Sequence, residues 1–256
     1  EVIDPGSGYL ACGTVAEGRL AEPEAVAARA LARLAPGPLA GRRVVITAGG
    51  TREPIDAVRW IGNHSSGRTG LALARAARDA GAEVTLLRGP STPPAPDGVT
   101  AVDFVTVDDL RTALDEHAPS TDVVVMAAAV SDWRVKDPAA TKLKKDTGTP
   151  RLELEATPDL LAALAESKRE GQVLVGFALE TGDDATVETQ AAAKLQRKSL
   201  DLVCGNRADV EGEGFGGDTN RLFLYGRDGE GTWTESATKD ALARTIMARV
   251  ADLLDA

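Results

Sequence analysis

From residue 43 onward, short runs of apolar, mostly β-branched residues alternate with longer stretches in which apolar positions recur every three or four residues. RVVIT (43–47) is the first run and predicts a strand. GRTGLALARAARDAG (67–81) has helical spacing, with Leu71, Leu73, Ala74 and Ala77 on one side and Gly81 as a stop. AEVTLLRG (82–89) predicts a second strand and VTAVDFVTV (99–107) a third, followed by a helix with an acidic first turn, DDLRTALDEHA. DVVVMAAAV (122–130) predicts a strand buried on both faces. RLELEA predicts another strand, and TPDLLAALAES a helix with Thr157 as N-cap and Pro158 at its first position. VLVGFALE, an alanine-rich helix over 184–200, and DLVCGN form a further β-α-β set. NRLFLYG and TWTE predict a terminal hairpin, and TKDALARTIMARVADLLDA a final amphipathic helix.

Strands that alternate with helices imply a mostly parallel sheet covered on both faces. The expected fold is therefore α/β: a doubly wound, Rossmann-like sheet with a C-terminal antiparallel hairpin. An eight-unit barrel is disfavoured, because the chain after Gly41 is short for it and ends in an antiparallel pair. In doubly wound sheets ligands bind beyond the carboxyl ends of the strands. That makes the loops at 48–66, 128–150, 177–183 and 204–220 the informative ones.

Composition narrows the function. The chain has 256 residues, 43% of them hydrophobic and 27% charged, and a net charge of −10. No apolar run reaches the roughly 20 residues of a membrane helix, and the acidic balance speaks against a general nucleic-acid binder. The first residues, EVIDPGSGYL, lack the pattern of a signal peptide and read as the middle of a longer protein. Cys12 and Cys204 form no metal-ligand pattern, and so few cysteines suggest a reducing compartment, the cytoplasm. His64 and His117 cannot build a metal site by themselves. Residues 23–40 read as a short helix and a proline-rich linker, and the main domain should cover 41–256.

The loop after the first strand carries Arg52, Arg59, Asn63, Ser65, Ser66 and Gly67 just before a helix. A helix N-terminus with hydroxyls beside it attracts phosphate or carboxylate, although a serine there is also an ordinary cap. Asn63 has the amide to hold a developing oxyanion, or to cap a turn. In MAAAVSDW, small residues let a flat ring approach the backbone, and Asp132 is placed to hold Mg²⁺ or a ribose hydroxyl, or to cap a turn. Lys142, Lys144 and Lys145 lie in TKLKK, flanked by Pro, Gly and Thr: a mobile basic flap, or a solvated charged loop. Phe177 stacks on a base or fills the core, and Lys194 and Lys198, four apart, share one helix face.

Taken together, TAGGTREPIDAVRWIGNHSSGRTG, AAAVSDWR, KLKK, TPDLL, VGFALET and KLQRKSLDLVCGN resemble the phosphopantothenoylcysteine synthetase family, the ligase half of a bifunctional bacterial coenzyme A biosynthesis protein. The resemblance runs in order over residues 41–256. It implies formation of an amide between 4′-phosphopantothenate and L-cysteine, driven by CTP through an acyl-cytidylate, with release of CMP and pyrophosphate. It implies CTP contacts at Met126, Ala127, Ala128, Asp132, Lys142, Pro158, Asp159, Leu160, Leu161, Phe177, Lys194 and Lys198, with Mg²⁺ at Asp132. Asn63 is then the catalytic asparagine of acyl-cytidylate formation, Lys142 is associated with amide formation, and Arg59 helps bind substrate or intermediate. Ser65, Ser66 and Gly67, with Lys144 and Lys145, are expected at phosphate or substrate, and His64 is expected only to pack. A homodimer is implied, with a dodecamer-type assembly for a full-length protein.

PGSGYLACGTVAEGRLAEP resembles the substrate-clamp segment of the partner domain, an FMN-dependent decarboxylase. On that resemblance residues 1–22 are a decarboxylase remnant, with Cys12 as a proton donor that cannot act without the flavin-binding body. Two other classes of protein make different demands on the sequence. An NAD(P)-dependent oxidoreductase predicts a G-x-G-x-x-G loop and an acidic end to the second strand; AGGTREP and LLRGP supply neither. A nucleotide-responsive binding protein would need no asparagine paired with a lysine flap.

Overall fold

The computed structural model describes residues 6–9, 15–19, 23, 26–27, 36–145, 151–210, 217 and 219–255. The chain forms two compact units, Glu1–Gly37 and Pro38–Ala256. In the first, β1 (Gly6–Tyr9) pairs antiparallel with β2 (Val15–Arg19).

The second unit begins with β3 (Arg43–Ala48), the short pair β4 (Glu53–Pro54) and β5 (Trp60–Ile61), and helix α1 (Arg68–Asp79). β6 (Glu83–Arg88), β7 (Thr100–Asp103), α2 (Val107–His117) and β8 (Val123–Met126) follow. Then come β9 (Trp133–Val135), β10 (Leu154–Ala156), α3 (Leu160–Glu166), β11 (Val173–Glu180), α4 (Asp184–Arg197) and β12 (Leu202–Arg207). The chain closes with β13 (Thr219–Asn220), β14 (Phe223–Gly226), β15 (Gly231–Trp233), β16 (Ala237–Thr238) and α5 (Lys239–Asp255).

The main sheet has eight strands in the order β15-β14-β12-β11-β8-β3-β6-β7. All pairs from β12 to β7 are parallel, and β14 and β15 add the antiparallel edge. This is the doubly wound α/β sheet with a terminal hairpin that the alternating pattern predicts. Successive side chains of a strand face opposite sides. Val44 and Ile46 join Leu71, Leu73, Ile246 and Met247 of α1 and α5 in one core. Val45 joins Leu110, Leu114, Leu161, Val187 and Leu195 of α2, α3 and α4 in the other. The strand order reverses between β3 and β8, so the loops leaving their carboxyl ends part and open a crevice.

Several boundaries differ from the sequence-based expectation, each for a local reason. The strand expected over 122–130 stops at Met126, because Ala128 donates its N–H to Thr47 Oγ1 (2.9 Å) and Ala129 to the Gly49 carbonyl (2.8 Å). The first bond ends on a side chain, and the second belongs to an isolated bridge between Gly50 and Ala129, so neither continues the ladder. The strand expected from Val99 ends at Asp103, since Thr106 caps α2 in a capping box with Asp109. The run at 151–156 contributes only Leu154–Ala156, paired with β9 outside the main sheet. Helix α3 is capped by Asp159, whose side chain accepts from Ala162 N, and not by Thr157. Thr157 instead gives its hydroxyl to the Ser131 carbonyl (2.5 Å) and its N–H to the Asp132 carbonyl (3.0 Å).

Candidate active site

Hydroxyls stitch the two parting loops together above the switch point. Besides the Thr47 contact, Ser131 N donates to Thr51 Oγ1 at 2.9 Å, and both threonines are buried. Asn63 then donates its side-chain amide to the Val130 carbonyl at 2.8 Å, which fixes the plane of the amide against the small-residue segment. Gly50 permits this closeness: a Cβ there would sit 2.9 Å from the Asn63 carbonyl oxygen.

The crevice is a cavity of about 910 Å³, and four groups of side chains meet in it. From the β3 loop come Asn63, Ser65, Ser66 and Gly67. Gly67 is the N-cap of α1 in a left-handed conformation (φ 69°) and makes no side-chain cap, so neither serine caps the helix. Met126, Ala127, Ala128 and the exposed Asp132 form the second group. The turn Pro158, Asp159, Leu160 and Leu161 is the third, and Phe177, Lys194 and Lys198 the fourth.

The fourth group is electrostatically coupled to the third. Lys198 Nζ lies 2.9 Å from Asp159 Oδ2, so a charge pair ties the C-cap of α4 to the N-cap of α3. Burial pushes the Asp159 carboxyl up, but the Lys198 ammonium and the Ala162 N–H outweigh it, and its pKa lies below the ordinary value. Lys194 donates to the Phe177 carbonyl. Burial first, and the neighbouring Lys198 second, lower its pKa from the usual lysine value. A cation held half-desolvated at a cavity wall gains from an anionic ligand, which restores the compensation that water no longer supplies.

Arg59, Lys142, Lys144 and Lys145 are not among the cavity-lining residues. The Arg59 guanidinium is engaged by Asp56 and by the Leu143 carbonyl (3.0 Å). Cys12 lies outside the described residues. His64, expected only to pack, is exposed and lines the cavity. Sequence reasoning also missed Asn206, Asn220 and Lys239 at the cavity wall. Asn206 stands at the end of β12, in a loop region already marked as informative, so position could have found it. Lys239 opens α5 and carries no local signal; only the return of that helix across the sheet brings it there.

Among the described residues no group of three His, Cys, Asp or Glu side chains could hold a metal. Of the two carboxylates at the cavity, Asp159 is paired with Lys198; the exposed Asp132 fits Mg²⁺ as nucleotide enzymes use it, where one or two carboxylates share the ion with substrate phosphates and water. Cys204 is fully buried, and burial pushes its thiol well above the usual range, which leaves it inert at neutral pH.

An open, mostly parallel sheet with cations and a helix N-terminus around a cavity at its switch point defines a Rossmann-like α/β domain. More particularly, the chain belongs to the family described as the DNA/pantothenate metabolism flavoprotein C-terminal domain, whose model matches residues 39–254. It is 42% identical over 245 residues to the coenzyme A biosynthesis bifunctional protein CoaBC of Vibrio cholerae, covering 95% of this chain and 60% of that protein. It is 39% identical over 259 residues to a cysteine/cysteine sulfinic acid decarboxylase of an unknown prokaryotic organism, covering 99% of this chain and 71% of the relative. Among solved structures, the C-terminal domain of CoaBC is 37% identical with a TM-score of 0.73, covering 86% of this chain and 98% of that one. The chain thus spans about 60% of the length of the Vibrio cholerae relative.

These matches correct one expectation. The family match begins at residue 39, and the solved neighbour is the C-terminal domain of the bifunctional protein. The chain is homologous to that ligase part, and residues 1–22 are not a remnant of the decarboxylase domain. A short cysteine-bearing motif carried that expectation, whereas the ligase resemblance rests on motifs spread through the whole second unit.

Proposed function

We propose that the chain catalyses amide formation between 4′-phosphopantothenate and L-cysteine at the expense of CTP. The observation that carries this reading is one continuous cavity at the switch point. It joins a helix N-terminus, the Lys194–Lys198 pair and the fixed Asn63 amide along a wall of small residues. Membership of the pantothenate-metabolism family and likeness to the CoaBC C-terminal domain support the same reading.

The chemistry makes two demands. A carboxylate acylates poorly, because its charge repels nucleophiles and oxide is a bad leaving group. In this reading its oxygen first attacks the α-phosphorus of CTP, forming an acyl-cytidylate and expelling pyrophosphate. The amine of cysteine, after losing its proton, then attacks the carbonyl and expels CMP. Lys194, Lys198 and the start of α1 at Ser65, Ser66 and Gly67 neutralise phosphate charge. Ala127 and Ala128 offer backbone to the pyrimidine, and Phe177 offers its ring face. Asn63 holds the oxygen that carries charge as the acyl-cytidylate forms, and its bond to Val130 pre-pays the orientation. Asp132 would hold Mg²⁺ with the nucleotide phosphates, the ion lowering their charge when bound. Lys142 serves the amide-forming step and Arg59 the substrate or intermediate, with Lys144 and Lys145 adding positive charge. The reading includes a homodimer in the cytoplasm.

Mixing the protein with CTP, phosphopantothenate and Mg²⁺ should release pyrophosphate, and adding cysteine should convert the intermediate to amide and CMP. Nucleotide binding by calorimetry without any pyrophosphate would overturn the reading. Parallel reactions with ATP test the choice of nucleotide.

A further inference from the structure

Asp56 is buried, with its side chain wholly out of solvent, yet it does not line the cavity. Its two carboxylate oxygens do different things. Oδ1 accepts from Val58 N and Arg59 N, both at 2.8 Å, and closes its own turn. Oδ2 reaches outward. It accepts from Arg59 Nε (2.9 Å) and, across 87 positions of sequence, from the N–H of Leu143 (3.1 Å). Arg59 completes the grip by donating to the Leu143 carbonyl at 3.0 Å.

Leu143 is the residue between Lys142 and Lys144. Its N–H belongs to the peptide plane shared with Lys142, and its carbonyl to the plane shared with Lys144. Peptide units are rigid, so pinning both groups places the Cα atoms of both lysines. A second tie precedes the clamp: Ala139 N donates to the Ile55 carbonyl at 3.0 Å, in a bridge that pairs Asp56 with Ala139. Two neutral bonds to one backbone residue would be modest, but here each involves a charged partner, which makes them stronger.

We propose that Asp56 is a positioning residue: with Arg59 it clamps Leu143 and thereby sets where Lys142 and Lys144 stand relative to the reacting groups. This rests on the ligase reading above, with Lys142 serving amide formation. The basic segment is then held at a point on the β3 loop, the same loop that carries Asn63. The two halves of the reaction therefore share one mechanical base.

Asp56→Asn separates the clamp from the turn. The asparagine carbonyl still accepts from Val58 and Arg59 N, but its amide group replaces Oδ2 and presents a donor to the donors of Arg59 and Leu143. The expected result has three parts. Hydrogen exchange at the Leu143 amide quickens at least tenfold, and trypsin cuts faster after Lys142 and Lys144. In single turnover, pyrophosphate release stays within about twofold while amide formation slows about tenfold or more, within the roughly hundredfold that misplacing a group by an ångström can cost. Unchanged exchange at Leu143, or equal slowing of both half-reactions, would show that Asp56 only folds its turn and would overturn the proposal. If the unmodified protein released no pyrophosphate, the ligase reading would fall, while Leu143 exchange would still decide whether the clamp exists. Should Asp56→Asn fail to fold, Arg59→Lys keeps a charge beside Asp56 and loses the reach to the Leu143 carbonyl, and faster exchange at Leu143 is again the expected result.

Discussion

Gly70→Ala is a sharp test of how the fold positions the site, because two physical effects oppose each other there. Alanine in a helix is favoured over glycine by about 0.5–1 kcal/mol. A surface position of α1 would be stabilised accordingly. At Gly70, however, an added Cβ would lie 2.4 Å from Ala48 Cβ, 3.0 Å from Ala48 Cα and 3.0 Å from the Thr47 carbonyl oxygen. Carbon atoms pack at about 3.5–4.0 Å, so the helix must retreat by about 1 Å. Neither a methyl group nor a backbone carbonyl has a rotamer to swing aside. Overpacking of this kind costs about 1–3 kcal/mol; set against the helix gain, the net loss is about 1 kcal/mol and at most about 2.5 kcal/mol. For a domain of this size a loss between those two figures lowers the melting temperature by about 2–10 °C.

The same retreat carries the α1 start, with Ser65, Ser66 and Gly67, away from the opposite wall of the cavity. Urea denaturation should therefore show a lower midpoint with an unchanged slope, and calorimetry a weakened affinity for CTP. Ala48→Gly in the Gly70→Ala background removes the nearest of the three clashes and should recover part of both losses. A Gly70→Ala variant as stable as the unmodified protein, with full nucleotide affinity, would refute the close approach of α1 to β3 as the device that places this loop.

Two further outcomes follow from buried charges. Asp201 has a side chain 3% exposed and accepts from Lys168 Nζ (2.5 Å), Leu174 N (2.7 Å) and Arg227 Nη1 (3.0 Å), so Asp201→Asn should cost about 2–4 kcal/mol in urea denaturation by leaving the part-buried Lys168 ammonium without its counter-charge and weakening the bonds from Leu174 and Arg227; a loss under about 0.5 kcal/mol, the level of an ordinary surface change, would contradict the burial argument. Glu53 is buried and accepts from Val107 N at 2.9 Å, and its desolvation raises its pKa above the usual value. Because the folded state then binds the proton more tightly than the unfolded one, the penalty is absent below the unfolded pKa and grows as pH rises through the folded one. Glu53→Gln keeps the acceptor and loses the charge, so its stability relative to the unmodified protein should improve between pH 4 and pH 7; a difference that runs the other way would show that the Val107 N–H and the Arg134 charge together outweigh burial.

The linear pattern by itself determined the architecture. Near-continuous apolar runs such as 44–46 and 173–179 can be satisfied only where both faces of a strand are covered, which requires helices on each side and hence crossovers. The end of the chain, with apolar runs too close for a crossover, had to be a hairpin. The motifs also placed most of the cavity wall, since loops after parallel strands share one edge of the sheet. Where the pattern failed, long-range hydrogen bonds had won. Met126 ends its strand because the Ala127 amide turns back to Val125, and Thr47 and Gly49 claim those of Ala128 and Ala129, and Asp159 caps α3 because Thr157 is bound to Ser131 and Asp132. Lys239 reached the cavity through the packing of α5, and Arg59 turned to Asp56 and Leu143 rather than to the cavity. A hydrophobic period reports which face of an element is buried; it holds no information about which polar group, scores of residues away, will meet another. Only the tertiary structure decides that, and it does so here at the loops from which the chemistry would be built.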